Sequence, residues 1–294
     1  MSQTTPPISI VAGMPRSGTT FIYHNFQKHP AVFCPFRKET NFFSVNFARG
    51  IDWYQELYKE IQPGQIGLDA SPSYFLDPRA VTRIQDLLPH AKIILGIRNP
   101  VDYSLSLYNQ LITHLLKDRP TFETFIQNYD YPFGDQIINI QLQDNSIVST
   151  IDLYRQAFGA NLLLYQFDFF QANPLTVSRS IENHLGLPAY FDEATFDASV
   201  INASNRKNIS LVTYLLSREK LINTLGDILP RRLLQNMRLK FDKFSKPDQK
   251  PAQVPHSLED MQIAKKVFAR QEEVVQNLFA SHPIILGDGT PIFS

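Results

Sequence analysis

Ile8-Ser-Ile-Val-Ala-Gly-Met-Pro-Arg-Ser-Gly-Thr-Thr20 is an apolar run that breaks into a glycine- and hydroxyl-rich turn, and residues 21–28 behind it suit a helix. A strand, a tight loop and a helix start, in that order, aim backbone N–H groups and the positive end of a helix dipole at an anion. Gly13 and Gly18 have the GxxxxG spacing of a nucleotide-binding P-loop. Thr19 stands where such a loop carries the lysine that reaches the β- and γ-phosphates. The stretch is a phosphate cradle with the wrong residue for ordinary nucleotide hydrolysis.

Outward from it, residues 8–13 read as a buried strand, continuous rather than alternating, as parallel strands tend to be. Residues 53–61 suit a short helix ending at Pro63-Gly64, residues 66–70 a strand, and residues 78–88 a helix stopped by Pro89. Residues 92–98 form a strong strand, after which Asn99 can cap a helix whose first residue is Pro100 and which runs toward residue 116. Few punctuation signals divide residues 117–146. Helix 147–158, strand 161–167 and helix 175–185 before Gly186 follow. Repeated strand–helix order predicts an α/β, P-loop-like three-layer fold with a mostly parallel sheet flanked by helices.

The economical organisation is a single domain over residues 1–294, with its clearest core in 8–186 and a weaker helical, loop-rich carboxyl region in 187–294. There residues 190–208 read as irregular, 211–222 as helical, 231–246 as basic, 247–255 as turn-rich and 258–279 as a long amphipathic helix.

The 28 basic residues balance 28 acidic ones, which gives no general attraction to nucleic acid or an anionic membrane. Cys34 is the only cysteine, so an intrachain disulfide is impossible and a thiolate metal cluster is unsupported. Residues 1–7 lack the charged and apolar parts of a signal peptide, and no apolar stretch approaches membrane-span length. The expectation is a cytoplasmic protein without a transmembrane segment and without a bound metal. Most of the 22 Phe and 12 Tyr belong in the core, with some available to line a pocket.

Met14-Pro-Arg-Ser-Gly-Thr-Thr20 resembles the phosphosulfate-binding loop of sulfotransferases that use 3′-phosphoadenosine 5′-phosphosulfate (PAPS). Ile97-Arg-Asn-Pro-Val-Asp-Tyr-Ser-Leu-Ser106 resembles that family's second phosphate block, in which Arg98 and Ser106 match the pair that holds the donor's 3′-phosphate. An arginine at a strand end and a serine about two turns into the next helix can converge on one phosphate. The resemblance implies sulfuryl transfer from PAPS to a hydroxyl, less readily an amine, with release of adenosine 3′,5′-bisphosphate. Arg16 aligns with the family's catalytic basic residue. Ser17, Gly18, Thr19 and Thr20 then surround the donor through hydroxyls, backbone N–H groups and close backbone approach.

Phe36-Arg-Lys-Glu-Thr-Asn-Phe-Phe43 resembles the Lys-Glu block with paired aromatics of carbohydrate-type and bacterial members. Glu39 matches their candidate general base and Lys38 its neighbour; a surface Lys-Glu pair beside core Phe42 and Phe43 is the competing reading. Asp69-Ala-Ser-Pro-Ser-Tyr-Phe75 resembles a substrate-side segment in which Ala70 replaces a lysine, leaving Asp69 and Tyr74 as candidate acceptor contacts together with Phe42 and Phe43. Phe47, Trp53 and Tyr54 are further candidates for an acceptor wall or for core. Arg206 and Lys207 fall where relatives close over the nucleotide.

His24, His29, His90, His114 and His256 are alternative bases, though no HxH or HExxH spacing supports metal chemistry. The acceptor classes left open are a hydroxyl-bearing small molecule, a glycan, a lipid-like alcohol and a carrier-tethered metabolite. A P-loop kinase or nucleotide hydrolase and a non-enzymatic nucleotide-binding module are the competing functions.

Overall fold

In a computed structural model of the chain, residues 7–36, 38–112, 119–133, 136–143, 146–198 and 257–292 are described. Strand β1 (Ile8–Val11) lies at the centre, every residue buried. Helix α1 (Thr19–Phe26) follows the glycine-rich turn and leads to the two-residue strand β2 (Val32–Phe33). The chain continues through α2 (Ile51–Glu56), β3 (Ile66–Ala70), α3 (Ser73–Leu76), α4 (Arg79–Leu87), β4 (Ile93–Ile97) and α5 (Pro100–Ile112). Beyond come α6 (Phe122–Gln127), the hairpin β5 (Tyr129–Phe133) and β6 (Gln136–Ile140), α7 (Ser146–Phe158), β7 (Leu162–Gln166), α8 (Phe167–Ala172) and α9 (Pro174–Leu185). Helix α10 (Leu258–Leu278) and strand β8 (Ile284–Leu286) close the described chain.

The main sheet has the order β2-β3-β1-β4-β7-β8. All its pairings are parallel except β7 with β8. All residues of β1 and β4 are buried, so helices cover both faces of the sheet centre, as continuous apolar strands require. The sheet and flanking helices match the expected α/β architecture.

Chain direction reverses across the middle of this sheet. After β1 the chain moves toward β2, and after β4 it moves toward β7. Neighbouring strands β1 and β4 therefore splay their outgoing loops apart, which opens a crevice at their carboxyl ends where open α/β sheets bind ligands.

Asn99 and Pro100 start α5 as their chemistry predicts: the Asn99 Oδ1 accepts from the N–H of Val101 at 2.8 Å and of Asp102 at 3.3 Å. Helix α10 braces this corner, since the Asn99 Nδ2 donates to Glu272 Oε1 at 2.5 Å. It also reaches α7, where Gln271 accepts from the N–H of Ile147 and donates to the carbonyl of Leu142. Arg206, Lys207, His114, His256, the expected helix 211–222 and the basic stretch 231–246 lie outside the described residues.

Candidate functional site

The loop between β1 and α1 extends the sheet before it turns. Met14 N–H donates to the Gly96 carbonyl at 3.1 Å, so the loop leaves the sheet pressed against β4. Ser17 is buried and folds the turn on itself, its Oγ donating to the Met14 carbonyl at 2.6 Å. The Tyr165 hydroxyl, from β7, donates to the Ser17 carbonyl at 2.6 Å and fixes the turn from below. Glycine is required at two contacts: a Cβ on Gly13 would lie 2.8 Å from Ser17 Oγ, and one on Gly96 2.4 Å from the Tyr165 hydroxyl. Gly18 takes φ +92°, and a Cβ there would strike the Phe170 ring at 2.4 Å.

The turn divides its side chains sharply. Ser17 and Thr19 face inward, whereas Arg16 and Thr20 are exposed. The Ser17 hydroxyl, expected to meet a ligand, instead holds the loop's shape. Arg16 occupies the left-handed region at φ +70°, a strained conformation for a residue with a Cβ, and projects out of the cradle.

Arg98 follows β4 directly, its N–H donating to the Met14 sulfur at 3.3 Å, which ties the second block to the first. Its guanidinium lies 5.2 Å from the Phe167 ring centroid, and its Nε is buried with no hydrogen-bond partner among the described residues. Burial lowers the Arg98 pKa, Asp102 and Asp168 oppose that, and nearby Arg16 adds to it. Ser106, half-buried on α5, stands two turns beyond Arg98 on the helix side that also carries Asp102. An anion drawn between Arg16 and Arg98 would relieve their repulsion and supply a partner for a guanidinium that the fold leaves incompletely bonded. The residues present thus fit a phosphate-bearing ligand.

The Lys38-Glu39 block lies on the loop beyond β2. Lys38 Nζ pairs with Glu39 Oε1, and the Glu39 side chain is 40% exposed. Glu39 has φ +63° and Asn41 φ +50°, so this short loop holds two non-glycine residues in left-handed conformations. Such strain persists only where surrounding contacts dictate it.

Those contacts centre on Asp69, and they bury several residues expected to meet a ligand. Asp69, paired in register with Ile10, is 0% exposed. Its Oδ2 accepts from Tyr74 at 2.6 Å, Thr40 at 2.7 Å and Tyr54 at 3.1 Å, and its Oδ1 from Ser71 at 2.7 Å. Burial raises its pKa, and these hydroxyl donors act against the rise. Asp69 and Tyr74, expected as acceptor contacts, are both buried and bonded to each other. Phe42 and Phe43 are likewise core: Phe42 stacks on Tyr54 at 4.5 Å, and Phe43 meets Tyr54 and Tyr74 edge-on. Phe47 and Trp53 are only partly covered, each under an arginine (Arg83 and Arg49) at 4.2 Å.

The histidines among the described residues sit apart from this arrangement. His29 is buried, accepting from the Ala31 N–H through Nδ1 and donating to the Pro188 carbonyl through Nε2. His24 packs edge-on against Tyr23, and His90 is exposed in the turn before β4. Among the described residues no cluster of His, Cys, Asp and Glu could hold a metal ion, and no helix is long and apolar enough to cross a membrane. Sequence reasoning missed Thr40, Ser71, Tyr165 and Glu272, whose work is done by hydrogen bonds to residues far away in the chain. The cluster of hydroxyl residues around Asp69 was the available signal.

A family model described as "Sulfotransferase domain" matches residues 6–215. "Membrane-associated sulfotransferase kil1" of Dictyostelium discoideum is 36% identical over 135 residues, 45% of this chain and 29% of that protein. Human "Heparan sulfate glucosamine 3-O-sulfotransferase 3B1" is 32% identical over 118 residues, 40% of this chain and 30% of that protein. The matched stretch thus spans less than a third of either relative's length. A solved sulfotransferase from Alicyclobacillus acidocaldarius shares the fold with TM-score 0.50 and 20% identity, covering 68% of this chain and 91% of that one.

Proposed function

This chain belongs to the sulfotransferase domain family, and we propose that it transfers a sulfuryl group from PAPS to a carbohydrate hydroxyl. The observation that carries the reading is Arg98: a half-buried cation whose Nε has no partner among the described residues, tied to the phosphate loop at the sheet's switch point. Arg98 and Ser106 hold the donor's 3′-phosphate. The loop's backbone N–H groups, the close approach allowed at Gly18 and the exposed Thr20 hydroxyl hold the 5′-phosphosulfate, while buried Ser17 and Thr19 maintain the loop.

Glu39 accepts the acceptor's hydroxyl proton as that oxygen forms a bond to sulfur. The bond between sulfur and the bridging phosphate oxygen breaks, and its electron pair leaves with adenosine 3′,5′-bisphosphate. Arg16, projecting from the loop, offsets the charge that collects on the leaving phosphate. Lys38 orients Glu39 through their ion pair. The carbohydrate class and the choice of oxygen over nitrogen rest on the heparan sulfate 3-O-sulfotransferase relatives.

The test is transfer of radiolabelled sulfate from PAPS to glucosamine-containing glycans. Label should appear on the glycan, and Glu39→Gln should slow transfer by roughly 10²–10⁴-fold, the usual span for general base catalysis. Folded protein that labels no hydroxyl acceptor, or that instead transfers phosphate from ATP with magnesium, overturns the reading.

A further inference from the structure

We propose that Asp69 is a positioning residue for this reaction: its buried carboxylate fixes the strained backbone that aims Glu39 at the acceptor. The inference rests on Glu39 acting as the base. Asp69 touches no ligand-accessible surface, yet it holds the residue on the carboxyl side of Glu39 directly, through Thr40 Oγ1 at 2.7 Å. It holds the next residue at one remove, because Ser71 Oγ donates to Asp69 and accepts the Asn41 N–H at 3.1 Å. Ser73 Oγ completes the clamp by donating to Asn41 Oδ1 at 2.6 Å, and Asn46 Nδ2 donates to the Thr40 carbonyl at 2.7 Å.

Glu39 and Asn41, the loop's two left-handed residues, thus flank Thr40, the loop residue bonded directly to the carboxylate. Without that anchor a glutamate and an asparagine would relax toward negative φ, which swings the Glu39 side chain. The chemistry also explains why the anchor is ionisable. A carboxylate is acceptor-only and can take Thr40, Tyr74, Tyr54 and Ser71 together, whereas an amide must turn an N–H toward one of them. The register Ile10↔Asp69 sets this anchor beside the end of β1, so the carboxyl ends of two neighbouring strands position both the donor loop and the base.

The experiment compares wild type, Asp69→Asn, Thr40→Val and Tyr54→Phe by amide hydrogen exchange over residues 39–46 and by PAPS turnover with a glucosamine-containing glycan. Asp69→Asn should speed exchange at Glu39 to Asn41 at least tenfold and lower kcat about tenfold or more, leaving the KM for PAPS within twofold. Thr40→Val, which keeps the carboxylate and removes the direct link along with the Thr40 hydroxyl's contacts to Tyr74 and the Phe42 N–H, should do the same to a lesser degree and covers the case in which Asp69→Asn fails to fold. Tyr54→Phe removes a hydroxyl that bonds the carboxylate but not residues 39–41, keeps the ring that packs on Phe42 and Phe43, and should leave exchange at 39–41 and kcat within twofold. Unchanged exchange at Glu39 in both Asp69→Asn and Thr40→Val overturns the inference. Full turnover by Glu39→Gln overturns the base assignment alone, and the exchange measurement still decides whether Asp69 holds the loop.

Discussion

Strand β4 has a cation at each end, and the fold treats them oppositely. Lys92, just before the strand, donates to the His184 carbonyl at 2.5 Å, and His184 Nε2 donates in turn to the Asn161 carbonyl at 3.1 Å. Arg98, just after the strand, is half-buried with an Nε that no group among the described residues satisfies. A buried donor left unpaired costs on the order of 1–3 kcal/mol, so a stable protein has reason to pair both. Pairing only the end remote from the phosphate loop separates structural polarity from ligand-binding polarity. The carboxyl end of the sheet is kept incomplete for an anion, and the amino end is completed from within.

The contrast breaks most visibly at Arg16. Arg16→Ala should lower kcat for sulfuryl transfer by roughly 10²–10³-fold, as loss of one preorganised charge-stabilising donor does, with little change in melting temperature because the side chain is exposed. A variant that loses stability instead would assign Arg16 to the scaffold.

The opposite end makes a prediction about pH. Burial, followed by the nearby Lys92 charge, lowers the His184 pKa from 6.5 to about 4. The unfolded chain therefore binds more protons than the folded one between those values, and stability falls as pH drops from 6.5 toward 4. The loss amounts to about 3 kcal/mol at most and levels off below the folded value. Denaturant melts of wild type and His184→Gln at neutral and mildly acidic pH measure it; an equal pH slope in both removes His184 as the cause.

A smaller effect sharpens the same comparison. Lys92→Met should cost about 1 kcal/mol by deleting the bond to the His184 carbonyl, while leaving affinity for adenosine 3′,5′-bisphosphate unchanged. It also removes a charge that opposes protonation, so the His184 transition should move up in pH.

Much of this was legible in the sequence where local signals were strong. Strand residues 66–70 coincide with β3, and Asn99-Pro100 starts α5 as expected, because a run of apolar residues and a cap with an N1 proline are local facts. Residues 117–146 concealed α6 and the β5–β6 hairpin; a short strand containing Pro132 gives a poor strand signal. Strands β2 and β8 were missed because two- and three-residue edge strands exist only through their neighbours. At the site, motif order placed Arg16 and Arg98 in the same loop region. It does not tell which side of the Asp69 segment faces water, so Asp69 and Tyr74 stand as candidate acceptor contacts and Phe42 and Phe43 as either contacts or core; tertiary packing makes all four interior.

The most direct measurement is a calorimetric titration with adenosine 3′,5′-bisphosphate and with adenosine 5′-monophosphate, which differ only in the 3′-phosphate. Wild type should bind the bisphosphate at least about 30-fold more tightly, a difference on the order of 2 kcal/mol from charge-assisted bonds to Arg98 and Ser106. Arg98→Ala should remove most of that preference without lowering the melting temperature. Equal affinity of the wild type for both nucleotides would contradict the account, because Arg98 at the end of β4 would then have no phosphate to hold.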